Sequence, residues 1–146
     1  MSAEQKAREL GIDLSPQPTG YLNMCIQSGQ QLLTSGHVSD IKGILGSELT
    51  VEQGYQAARE CADKILRSVY STHGSLDDLR VVKVFGCVYS APDFTDQHLV
   101  INGCSDLFHD LFGKDSDGFH ARSAVGFAAL PTGVAVEIEA IFEIKS

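Results

Sequence analysis

Residues 121–144 read ARSAVGFAALPTGVAVEIEAIFEI, and this stretch decides the architecture. It divides at Pro131-Thr132-Gly133 into two strand patterns, Ala121 to Leu130 and Val134 to Ile144, read as a pair around a turn. In the last strand Val136, Ile138, Ala140, Phe142 and Ile144 alternate with Glu137, Glu139, Ile141 and Glu143. One of its faces is therefore apolar and meets a core, while the other is acidic. In the strand before it Ser123, Val125 and Phe127 alternate with Arg122, Ala124, Gly126 and Ala128, which sets an arginine among small residues. A face of Ala and Gly admits close approach by another chain or a ligand.

Upstream of this pair, Val81 to Tyr89 alternates as well, with Val82, Val84 and Val88 on one face and Lys83, Phe85, Cys87 and Tyr89 on the other. Between it and Arg122, the recurrence of Val100, Cys104, Leu107, Phe108 and Leu111 at three and four predicts a helix from about Asp96 to Phe112. Thr50-Val51-Glu52-Gln53 has the form of a capping box, and the apolar spacing that follows predicts a helix to about Tyr70 with Gly74 as its stop. Leu22 to Gln27 and Gln31 to Ser35 flank Ser28-Gly29-Gln30 as a short hairpin. Residues 37 to 49 are glycine-dotted and read as a loop that covers or borders a site, and residues 3 to 10 as a peripheral helix within an N-terminal arm of residues 1–19.

The order is ββαβαββ, which predicts one α+β domain over residues 1–146: two layers, a mixed sheet with two helices on one face. Phe85, Cys87, Tyr89 and Ile141 fall on the uncovered face, which is too apolar to leave to water, so the chain is expected to form a homo-oligomer through it.

The chain has 146 residues, 43% of them hydrophobic, and a net charge of −8. That balance opposes the phosphate attraction on which nucleic-acid binders depend and disfavours anionic lipid, so neither nucleic acid nor a membrane is an expected partner. The polar N-terminus carries no signal pattern and no apolar run reaches membrane-spanning length, so a cytoplasmic protein is expected. Four cysteines, at 25, 61, 87 and 104, match neither a zinc pair nor a disulfide framework, and Cys61, Cys87 and Cys104 read as buried free thiols. The five histidines lack metal-ligand spacing, no phosphate-binding glycine loop is present and no cofactor is expected.

Arg122 is the sharpest candidate for chemistry, because a guanidinium is always charged and its planar fork fits a carboxylate. It pairs either with Glu137 or Glu139 or with a ligand. If the two final strands form a hairpin near Thr132, Arg122 and Glu137 are offset by five residues, roughly 16 Å at strand rise, which favours a ligand between them or a neighbouring subunit. Glu137 and Glu139, two apart on one face, repel, so one of them must find a cation or become more basic. Tyr21 and Asn102 offer a hydroxyl and an amide that either orient a small polar ligand or satisfy the core.

Arg122-Ser123-Ala124-Val125-Gly126-Phe127-Ala128-Ala129-Leu130-Pro131, followed by Val136-Glu137-Ile138-Glu139-Ala140-Ile141, resembles the C-terminal signature of the Rid/YjgF family, the reactive-intermediate deaminases once labelled L-PSP endoribonucleases. Thr34-Ser35-Gly36, before a loop, is similar to the end of that family's first conserved strand. Ser90 to Gln97, with Val100-Ile101-Asn102-Gly103, resembles a longer-chain branch of unassigned function. The resemblance implies a chorismate-mutase-like fold, a homotrimer and ligand clefts between subunits. It implies hydrolytic deamination of 2-imino acids or their enamines to 2-oxo acids and ammonia, with Arg122 holding the carboxylate and Glu137 placing the water. Tyr21, Gly36 and Asn102 would pack and orient the substrate. Ala124, which stands where the family often has cysteine, would meet it through main-chain groups. The rival reading is a trimer that binds a small carboxylate without turning it over.

Overall fold

The capping and periodic signals act locally, and the computed structural model, which describes residues 1–146, places elements on most of them. In chain order these are α1 (Ala3–Glu9), β1 (Cys25–Ser28), β2 (Gln31–Thr34), β3 (His37–Val38), α2 (Val51–His73), β4 (Leu79–Tyr89), α3 (Gln97–Phe112), β5 (Ala121–Phe127) and β6 (Val136–Ile144). At the start of α2, Thr50 Oγ1 accepts from the Gln53 backbone N–H at 3.2 Å while the Gln53 side chain accepts from the Thr50 N–H at 2.9 Å. Gly74 ends the helix in the left-handed region at φ 84°, a turn beyond the predicted Tyr70. The loop expected over residues 37 to 49 contains a strand of its own, β3, because His37 and Val38 pair with Ile138 and Glu137 of β6.

The sheet runs β1-β2-β6-β4-β5, with β3 also on β6. Every pairing is antiparallel except β4 with β5. This overturns the expected β5–β6 hairpin, because β4 lies between the two strands. The physical reason is the crossover. A helix the length of α3 spans the distance needed to return a strand in parallel register, and β4–α3–β5 is such a unit. β6, apolar throughout on one face, then takes a central position with both of its edges paired.

β4 carries a register shift between Val81 and Lys83, so Val81 joins Val84 and Val88 on the buried face. Val82, expected on that face, is the extra residue of the bulge.

Helices α2 and α3 pack on that face together with Leu32, Ile138 and Phe142 of the sheet, and full burial of each such side chain stabilises the fold by about 1.5–3 kcal/mol. The N-terminal arm is less peripheral than expected: Ala7 of α1, and Ile12 and Leu14 after it, are buried members of this core. Along the face lined by Ala124 and Gly126, Ala124 is half-buried and Gly126 exposed. That face looks toward the chain's own α3 side, where Gly126 lies against Ser90 and Gln97.

The opposite face of the sheet has no layer over it. Register puts Leu33, Ile141, Phe85, Cys87, Tyr89, Val125 and Phe127 there beside Glu137, Glu139 and Glu143. Cys87, expected to be buried, is half-buried on this face, while Cys25, Cys61 and Cys104 are buried, and all four are free thiols. No helix is long and apolar enough to cross a membrane.

Candidate active site

Arg122 sits in β5 opposite Val84, so its side chain leaves the sheet on the helix-covered side. There Nη1 donates to Asn102 Oδ1 at 2.8 Å and to Ser105 Oγ at 3.1 Å, and Nη2 donates to the His98 carbonyl at 3.4 Å. His98, Asn102 and Ser105 are spaced by four and three residues and share one side of α3. All three partners are neutral. None of the chain's six ion pairs includes Arg122, which removes the Glu137 and Glu139 pairings weighed from the sequence. Nε and the second proton of Nη2 have no partner in the chain. A guanidinium held along one edge and bare along the other is ready to take a carboxylate side-on through two parallel hydrogen bonds. Ala124, two residues along the same face, pairs with Gly86 and packs on the core.

Glu137 belongs to the other side of the sheet. It pairs with Cys87 of β4 and Val38 of β3, and its carboxylate fills the space above Gly36, where any Cβ would collide with Oε2. Burial, and secondarily Glu139, raise the Glu137 carboxyl above its usual range. Burial and the same two carboxylates push the Cys87 thiol up to about 11. Ser35, beside Gly36, is tied to the preceding loop through Ser35 N–H to the Met24 carbonyl at 2.9 Å and Ser35 Oγ to the Asn23 carbonyl at 2.6 Å. That loop carries Tyr21, whose side chain is fully exposed.

The six residues expected at the site thus form two groups. Arg122, Asn102 and Ala124 lie on the helix side of β5. Gly36 and Glu137 lie on the open face, with Tyr21 on the loop next to them. Through Val84 and Cys87, Arg122 and Glu137 are three residues apart along the sheet and two strands across it, about 10 Å in each direction, on opposite faces. This replaces the offset inferred from a hairpin. Within one copy Arg122 and Glu137 do not face a common ligand.

Sequence reasoning passed over Ser105, His120 and the His98 carbonyl. One signal for them was present: His98, Asn102, Ser105 and His109 recur at four, three and four residues, a polar stripe along a largely apolar helix. His37 is buried, with Nδ1 on the Ser35 carbonyl at 2.7 Å and Nε2 on Ser68 Oγ at 2.8 Å, and burial lowers its pKa. No three His, Cys, Asp or Glu side chains converge on a metal position.

The fold is a one-sided α+β sheet whose edge strand β5 carries an arginine with no acidic partner in the chain. The model of the family described as endoribonuclease L-PSP matches residues 13–144. The chain is 42% identical over 149 residues to protein TCP17 of Trypanosoma cruzi, covering 95% of this chain and 92% of that protein. It is 25% identical to the 2-iminobutanoate/2-iminopropanoate deaminase of Dermatophagoides farinae over 94% of this chain and 97% of that one. A crystal structure of a protein of unknown function from Agrobacterium tumefaciens superposes with a TM-score of 0.88 at 38% identity, over 99% of this chain and 94% of that one. The chain belongs to the endoribonuclease L-PSP family, also called Rid/YjgF.

Proposed function

We propose that this chain is the subunit of a homotrimeric deaminase that hydrolyses 2-imino acids, or their enamine tautomers, to 2-oxo acids and ammonia. The observation that carries the reading is Arg122: half-buried, oriented by three neutral acceptors, bare along its Nε/Nη2 edge and without a carboxylate partner in its own chain. A small anionic substrate supplies that partner. Each charge-assisted hydrogen bond it makes contributes roughly 1.5–3 kcal/mol. The division of the site residues between two faces supports a cleft made by two copies, one giving Arg122, Asn102 and Ala124 and its neighbour giving Gly36, Glu137 and Tyr21. The uncovered apolar sheet face supports the assembly that such a cleft requires. The sequence similarity to a 2-iminobutanoate/2-iminopropanoate deaminase supports the substrate class.

In this reading Glu137, made more basic by burial and by Glu139, accepts a proton from water as the oxygen bonds to the imine carbon and the C=N π electrons move to nitrogen. Glu137 returns that proton to nitrogen to give the neutral tetrahedral carbinolamine, which collapses as the hydroxyl proton passes through Glu137 to nitrogen, the C–N bond breaks and the C=O bond forms, releasing ammonia and leaving the 2-oxo acid on Arg122. The net charge of −8 opposes an RNA substrate.

The test generates imines in situ with an amino-acid oxidase and follows release of 2-oxo acid. Acceleration by the wild-type chain that Arg122→Ala abolishes is expected; no acceleration, or acceleration that survives the substitution, overturns the reading. A second reading is favoured by the separation of Glu137 from Arg122 within one copy: a trimer that holds a small carboxylate without turnover. Saturable thermal stabilisation by a 2-oxo acid with no ammonia release would select it.

A further inference from the structure

Arg122 is held from behind by a hydrogen-bond chain whose direction is set at its far end. His120 Nδ1 lies 2.7 Å from the Gly118 carbonyl, which can only accept, so in the neutral ring Nδ1 carries the proton and Nε2 is bare. Nε2 therefore accepts from Ser105 Oγ at 2.9 Å. The Ser105 oxygen, with its hydrogen turned toward the ring, offers a lone pair to Arg122 Nη1 at 3.1 Å. Donation runs one way, from Arg122 to Ser105 to His120 to the Gly118 carbonyl. These contacts join α3, the turn at 118–120 and β5, so the guanidinium is braced against two other parts of the fold.

We propose that Ser105 and His120 are positioning residues for Arg122, and that a neutral His120 is what keeps the bare Nε/Nη2 edge turned outward, so that acid disarms the carboxylate anchor. The inference rests on the reading of Arg122 as that anchor. A second proton on His120 makes Nε2 a donor, and the Ser105 hydroxyl then loses its acceptor. Imidazolium and guanidinium would converge on one oxygen, and the Nη1 contact weakens through their repulsion.

The surroundings keep the ring neutral. His109 of α3 lies over it with ring centroids 5.2 Å apart, and Phe108 meets it edge-on at 6.3 Å. Burial is the strongest influence against a second proton; the Gly118 carbonyl opposes it, and the charged or titratable groups facing the ring, His109 and Arg122, add to the effect of burial. Asp117, in the turn before it, is bound to Lys145. Protonation therefore comes below the usual histidine range.

The test follows the Arg122 guanidinium by nitrogen NMR in the ligand-free chain as pH is lowered, beside pyruvate affinity over the same range. In the wild type two distinct Nη signals are expected near neutral pH, merging as His120 titrates. In Ser105→Ala they are merged throughout. In His120→Gln, whose amide oxygen accepts from Ser105 without titrating, they stay distinct into acid. In His109→Phe the wild-type inflection persists. Pyruvate affinity in the wild type should fall by about ten-fold or more through the same inflection and stay level in His120→Gln.

Signals in Ser105→Ala as distinct as in the wild type, or a His120→Gln profile that follows the wild type, overturn the proposal. If the NMR signals behave as expected but pyruvate fails to bind at any pH, the brace stands and the carboxylate reading of Arg122 falls.

Discussion

Arg122 makes hydrogen bonds to neutral groups and no ion pair, so its removal leaves no buried charge stranded and should cost the fold little. Under the proposed function the ligand loses far more. Arg122→Ala is expected to weaken 2-oxo acid binding by about 10–100-fold. Arg122→Lys should recover little, because an ammonium cannot span Asn102, Ser105 and a carboxylate at once; calorimetry on the two variants measures both effects. Glu137 reports through pH. Its carboxyl is raised in the fold, so the folded chain holds the proton more tightly than the unfolded chain does. Stability therefore declines as pH climbs from the usual carboxylate range through the raised value. Glu137→Gln should remove that decline in Tm against pH, and an unchanged slope would assign it to another group. At this scale the sequence exposed Arg122 as a misfit among small residues and Glu137 as one of a repelling pair. It did not disclose Ser105 or His120 as partners, because their meeting depends on how α3 lies against β5.

At the scale of elements, the long helix α2 depends on its first turn. Thr50→Ala removes the acceptor for the Gln53 N–H and should destabilise the chain by about 1 kcal/mol in urea unfolding. Where α2 crosses α3, a Cβ on Gly103 would run into the Tyr55 carbonyl, so Gly103→Ala must part the two backbones. Overpacking of this kind costs about 1–3 kcal/mol, and the rigidity of a main-chain neighbour puts this case at the upper end. Because α3 carries Asn102 and Ser105, the same substitution should also loosen Arg122 and lower carboxylate affinity. The helices were legible because capping and periodicity are local. The pairing of β5 was not. Alternation says which residues share a face and is silent on which strand lies alongside, and a helix between two strands permits a parallel return that the short turn at Pro131 obscured.

For the whole molecule, the decisive feature is a sheet covered on one side only. Ile141 and Phe85 stand near the middle of the uncovered face, so Ile141→Lys is expected to abolish self-association while leaving the circular dichroism of the fold intact. Sedimentation measures the change, and deaminase activity should disappear with it, since each cleft in the proposed assembly needs Glu137 from a neighbour.

By itself the sequence determined the two-layer α+β class, the buried and acidic faces of β6 and both long helices, because these follow from periodicities and motifs of neighbouring residues, while Gly36 and Ala124 entered as candidates only through the family resemblance. Only the tertiary structure decided that β4 separates β5 from β6, that Arg122 and Glu137 take opposite faces, and that His120 stands behind Ser105. Those relations arise between segments far apart in the chain, where strand order and helix docking are settled by burial of the whole core and no local pattern records the outcome.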